Sequence, residues 1–116
     1  KMHKAGIKVL PFGDYGFAWI PMGTDSRDFE HFVNLMGFEP WEVLRAATAY
    51  GGEAFMGDKM GEIKEGFLSD IIIIDGDPLA DITLFQDRNN ILAIMKDGQF
   101  HKPFQGRAVQ EQRQVA

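Results

Sequence analysis

Asp14 closes the apolar run Gly6-Ile7-Lys8-Val9-Leu10-Pro11-Phe12-Gly13, a place where a carboxylate can serve chemistry or simply turn the chain. A carboxylate held there can accept a proton from water or ligate a divalent cation. A metal centre needs several His, Asp or Glu donors converging. The three histidines do not supply them. His31 sits in a helical pattern whose (i, i+4) neighbours are Arg27 and Leu35, and His3 and His101 lie near the ends. One aspartate cannot hold a catalytic metal, so no tightly bound metal is expected in this chain alone. Asp70, Asp75 and Asp77 form an acidic cluster, but their spacing does not match an EF-hand loop. Tyr15, Phe17 and Trp19 follow Asp14 in a loop, where they could line a substrate pocket or plug an apolar opening. With no cysteine, disulfides and thiolate nucleophiles are excluded.

The elements that must position these residues read in order. Residues 1–6 look like the last turn of a helix, with basic residues before Gly6. Residues 6–13 read as a strand covered on both faces, and residues 14–24 as a loop. Asp25 or Ser26 can cap a helix whose Phe29, Phe32, Val33 and Met36 share a face, and Gly37 ends it. Pro40 suits the first position of a second helix running to Phe55, which Gly51-Gly52 either kinks or closes. A short strand is possible at 62–64. Ile71-Ile72-Ile73-Ile74 is the strongest strand, with both faces expected to be covered. Residues 82–86 suit one helical turn and 91–95 a strand. Lys96-Asp97-Gly98-Gln99 reads as a tight hairpin turn into residues 100–102. Residues 106–116 are polar, Gln-rich and expected to fray.

At 116 residues, 45% hydrophobic and 25% charged, the chain has ordinary globular composition. Its net charge of -5 lacks the basic stripe of a nucleic-acid surface, so no nucleic-acid partner is expected. No stretch approaches the ~18 apolar residues of a membrane span and no signal peptide is visible, which leaves localisation open with the cytoplasm slightly favoured. A βα unit followed by a run of strands suggests an α/β chain made of pieces of two architectures.

Three motifs in register resemble a family. Ala46-Ala47-Thr48, then residues 60–66 (MGEIKEG), then residues 69–79 (SDIIIIDGDPL) are similar to the C-terminal signature of the amidohydrolase superfamily, closest to its imidazolonepropionase and Xaa-Pro dipeptidase-like branch. Residues 94–98 resemble the closing hairpin, and the likeness runs from about Gly6 to Lys102. The resemblance implies an incomplete fold. Residues 1–60 would be the last βα segment of a (β/α)8 TIM-type barrel, strand eight and the following helices. Residues 61–104 would be the C-terminal strands of a small β-sandwich, with 105–116 a polar tail. The histidine metal ligands are missing from the chain.

By the same resemblance, the aspartate ending the eighth strand contacts a metal and takes a proton from the attacking water. Two positions compete for that role. Gly23-Thr24-Asp25 carries the familiar wording, but it follows a loop and is placed as a helix cap; Asp14 closes the strand and is favoured as both catalytic and metal-contacting residue. Tyr15, Phe17 and Trp19 would then be the substrate-side residues. The implied parent is a metal-dependent hydrolase of amide-type C–N bonds, using a divalent metal, zinc by family habit, and a small amide or dipeptide-like substrate. The chain alone is expected to be inactive. The alternative is a non-catalytic module that self-associates or complements a separate barrel chain.

Overall fold

The computed structural model describes residues 2–55 and 59–104. The expected polar tail lies outside the described residues. Helix α1 spans Arg27–Asn34 and α2 spans Pro40–Arg45; a π-helical turn over Ala46–Tyr50 continues α2 into α3, Gly51–Phe55. Strands β1 (Ile71–Ile74), β2 (Ile91–Lys96) and β3 (Gln99–Lys102) form one antiparallel sheet in that order. Single 3-10 turns occur at His3–Ala5, Ile82–Gln86 and Arg88–Asn90, and the remaining described residues are turns and loops.

The core sits where α1 crosses α2 over the Ile82–Gln86 turn. Phe29, Phe32, Phe38, Val43 and Ile82 are buried together, with Val9, Val33, Leu44, Ala47 and Phe85 packed around them. Gly37 is left-handed at φ 73°, and beyond it the Phe38 N–H donates to the Phe32 carbonyl at 3.1 Å. That C-terminal closure folds the Phe38 ring back onto Phe32, with centroids 4.9 Å apart. At the start of α2, Pro40 takes the first position as expected. The Glu39 side chain accepts from the backbone of Glu42, and the Glu42 carboxylate accepts from the Glu39 N–H at 2.8 Å.

The hairpin matches its sequence. Asp97 and Gly98 both have positive φ, 49° and 75°, the pairing a two-residue turn between twisted strands requires. Asp70 fastens this turn to the start of β1: it accepts the Asp97 N–H at 2.7 Å and pairs with Lys96. The Lys96 hydrogen bond, with the Asp97 N–H second, holds the Asp70 carboxyl below the usual carboxylate range.

Four expectations are corrected. Residues 6–13 form no strand among the described residues, because no second backbone lies beside them to complete a ladder, and Phe12 leaves the β region at φ 73°. Residues 62–64 form none either; Ile63 is 92% exposed and has no neighbouring strand. The faces of β1 are not both covered, since Ile72 is 55% exposed and no described layer packs over it. Ser26 occupies the cap position of α1 with helical φ −63° and no side-chain cap bond, so backbone carbonyls before Arg27 begin the helix instead.

The glycines of the helix and of the residues 60–66 motif explain each other. A Cβ on Gly52 would run into the Met60 carbonyl, and one on Gly61, at φ 87°, would run into the Thr48 carbonyl. Two backbones thus touch with no side chain between them, and Gly51-Gly52 does not close the helix, which continues as α3 to Phe55. Gly52→Ala and Gly61→Ala are each expected to cost about 2–3 kcal/mol by overpacking. Gly37→Ala, which meets open space but keeps a left-handed φ, should cost only about 1 kcal/mol. Urea unfolding of the three variants checks the ranking.

Candidate functional site

Asp14 is exposed at the mouth of an open cleft of about 630 Å³. The cleft runs from Leu10 and Phe12 across Ala47 to Phe55, with Asp70 at its far side. Its two lining carboxylates differ: Asp70 is held by the hairpin, while the Asp14 carboxylate makes no hydrogen bond or ion pair among the described residues. Asp25 lies elsewhere. It borders a separate depression of about 230 Å³ with Phe29, Ile72, Phe85 and Arg88, and its carbonyl accepts the Asp28 N–H at 3.0 Å within the start of α1.

The segment bearing Asp14 is tied to α1 on both sides. The Phe12 N–H donates to Asp28 Oδ2 at 2.9 Å, and the Tyr15 hydroxyl donates to Asp28 Oδ1 at 2.7 Å. The Phe12 ring leans on buried Phe29 at 5.3 Å. Burial first, then the Asp28 hydrogen bond and the charges of Asp28 and Asp25, push the Tyr15 phenol up to about 12; Arg27 opposes them. Tyr15 therefore faces α1. Phe17 and Trp19 stack on each other at 5.6 Å and 9°, on a small loop closed by Gly16 N–H to Ile20 O at 2.9 Å. Trp19 is 78% exposed, and neither ring lines the cleft.

The histidines are engaged locally. His3 stacks on Phe38 at 3.8 Å and meets Glu42 at 3.1 Å, while His31 Nδ1 lies 3.8 Å from Asp28 Oδ1. His101 is exposed on β3. Asp77 Oδ1 accepts the Leu79 N–H at 2.9 Å, a turn bond, and the Asp75 N–H donates to Asn90 O at 2.7 Å. Among the described residues no three His, Asp or Glu side chains gather as a metal would require. By themselves these residues do not fit a divalent metal; Asp14 offers one donor. The residue that sequence reading passed over is Asp28, because an acidic residue in a first helical turn is already explained by the helix dipole.

The Amidohydrolase family model matches residues 1–100. Among curated proteins, the ochratoxinase of Aspergillus niger is 29% identical over 104 residues, covering 85% of this chain and 20% of its own length. The 5'-deoxyadenosine deaminase of Methanopyrus kandleri is 41% identical over 49 residues, 40% of this chain and 11% of that protein. Solved structures agree. The crystal structure of A. niger ochratoxinase gives a TM-score of 0.67 at 29% identity, over 74% of this chain and 21% of its own. A Xaa-Pro dipeptidase with methionine bound in its active site gives 0.63 at 28% identity, over 70% of this chain and 19% of its own. The chain thus spans about a fifth of the ochratoxinase it matches.

The Tyr15–Asp28 bond carries a pH signature. A phenol titrating near 12 when folded and 10 when unfolded adds stability that is fully present below pH 10 and lost as pH rises through about 12. Tyr15→Phe is expected to be less stable than the parent by about 1 kcal/mol at pH 8. The parent's advantage in urea midpoint should shrink as pH climbs above 10; an advantage of the parent that grows there would contradict the assignment.

Proposed function

The chain belongs to the amidohydrolase family, and from that premise we propose that it is the C-terminal segment of a metal-dependent hydrolase of amide-type C–N bonds, with Asp14 as its catalytic carboxylate. The observation carrying the choice of Asp14 is its place: an exposed carboxylate at the cleft mouth, on a segment fixed at Phe12 and Tyr15. Asp25 borders a different depression, and its backbone carbonyl accepts the Asp28 N–H at the start of α1.

In this reading residues 1–60 close the barrel, residues 61–104 add the last strands of the accompanying sandwich, and residues 105–116 form a polar tail. The Asp14 carboxylate accepts a proton as water oxygen bonds to the amide carbonyl carbon. It returns that proton to the departing nitrogen as the C–N bond breaks. A divalent metal, zinc by resemblance, would draw its remaining donors from other parts of the complete protein. Because the donors described here fall short of a metal's needs, no step is routed through one. The names of the relatives, ochratoxinase and Xaa-Pro dipeptidase, support a small amide or dipeptide-like substrate. Phe17 and Trp19 stack beyond the cleft and Tyr15 faces α1, so their part in taking that substrate would be to shape the loop that follows Asp14.

A second reading, a non-catalytic module that self-associates or complements a separate barrel chain, is favoured by the uncovered apolar residues. Trp19, Leu35, Phe55, Ile63 and Ile72 all stand exposed, and the outer edge of β1 has no partner strand among the described residues. The two readings differ in the complete protein. There Asp14→Asn is expected to lower kcat/KM for amide hydrolysis at least about a thousandfold, with Asp25→Asn within a few-fold of the parent. The reverse ranking would move the chemistry to Asp25. The isolated chain should show no hydrolysis, and sedimentation should find it associated; an active zinc-loaded monomer would defeat both readings.

A further inference from the structure

We propose that Asp28 is the positioning residue for Asp14: one carboxylate on α1 straps the segment on either side of Asp14 and fixes where the catalytic group points. This rests on the reading of Asp14 as the catalytic carboxylate.

The geometry is a bridge with two piers. Asp28 Oδ2 accepts from the Phe12 backbone, two residues before Asp14, and Oδ1 accepts from the Tyr15 hydroxyl, one residue after it. Gly13 and Asp14 hang between. Both bonds reach a charged acceptor, which roughly doubles the strength of a neutral hydrogen bond. The support beneath them is firm. Asp28 precedes Phe29, whose buried ring meets Phe12 at 5.3 Å and Phe85 at 5.1 Å, so the carboxylate is mounted on the core itself.

The backbone of Phe12 shows that something must hold it. At φ 73° a phenylalanine is in the left-handed region, which L side chains disfavour. Such a conformation persists only where surroundings over-determine it. Here the Asp28 bond and the Phe29 contact do so. The left-handed step turns the chain out of its apolar run immediately before Gly13-Asp14, which delivers Asp14 to the cleft mouth rather than into the core.

The remaining neighbours of Asp28 are consistent with a fixed acceptor. His31 Nδ1 lies 3.8 Å from Oδ1, one turn along α1, and the Asp28 N–H is satisfied by Asp25 O at 3.0 Å. Asp28 lines none of the clefts described, so its effect on the reaction runs through Asp14.

Two measurements test this. On the 116-residue chain, backbone relaxation should give order parameters near 0.85 at Gly13 and Asp14, falling below about 0.6 in Asp28→Asn while Phe32 is unchanged. Tyr15→Phe, which keeps the ring and removes one pier, should give an intermediate loss and covers the case in which Asp28→Asn fails to fold. Unchanged order at Asp14 in the folded variants, or a parent already below 0.6, overturns the proposal. In the complete protein, hydrolysis of a Xaa-Pro dipeptide by Asp28→Asn should lose kcat at least tenfold with KM within twofold, and Asp28→Glu should restore part of it. Parental kcat in Asp28→Asn, or a loss confined to KM, overturns it. If Asp14→Asn remains active while the relaxation result holds, the catalytic assignment fails and the strap stands.

Discussion

The helices and the segment that bears Asp14 hang on one small aromatic and aliphatic cluster at the crossing of α1 and α2. Val43 is fully enclosed, and Phe29, Phe32, Phe38 and Ile82 close around it. Removing such residues from water is worth roughly 1.5–3 kcal/mol each, far more than any surface pair contributes. The cluster does three jobs at once. It sets α1 against α2, draws the Ile82–Gln86 turn beneath them, and through Phe29 holds the Phe12 ring that precedes Asp14. The sheet stands apart from this core, joined to it through the turns before β2.

Much of the local structure was legible in the residues. Pro40 at a helix start, Gly37 at a helix end, four consecutive isoleucines as a strand and Asp97-Gly98 as a hairpin turn each follow from one residue's backbone preference. The run before Asp14 was not legible, because strandedness depends on a partner: the same apolar residues that suit a covered strand remain without a ladder where no second backbone lies beside them. The covered faces expected for β1 failed for the same reason. Ile72 and Ile73 carry the composition of a buried strand, yet the layer that would bury them is not among the described residues. The capping box at Glu39 and Glu42 was overlooked, since glutamate is an unusual residue at a cap.

For the candidate site, sequence context chose Asp14 over Asp25, and the structure puts the two carboxylates in different surroundings. What sequence could not show is that Tyr15 turns toward α1, because its hydroxyl partner lies thirteen residues on at Asp28. Long-range side-chain bonds of this kind leave no periodic signal. The Cα radius of gyration, 16.0 Å, exceeds the roughly 13 Å of a compact domain of similar length, and the exposed large side chains tell the same story. The chain spans about a fifth of the ochratoxinase it matches, and in the proposed reading these exposed faces would meet the rest of the barrel.

The central claim is that Asp14 is the one carboxylate this segment contributes to a larger hydrolytic centre. The most direct test is a crystal structure of the complete protein grown with zinc, with the metal located by anomalous scattering. The account expects an Asp14 carboxylate oxygen at about 2.0–2.2 Å from a zinc ion whose other donors come from outside residues 1–104. A zinc ion ligated by Asp25, with Asp14 turned to solvent away from it, would contradict the account.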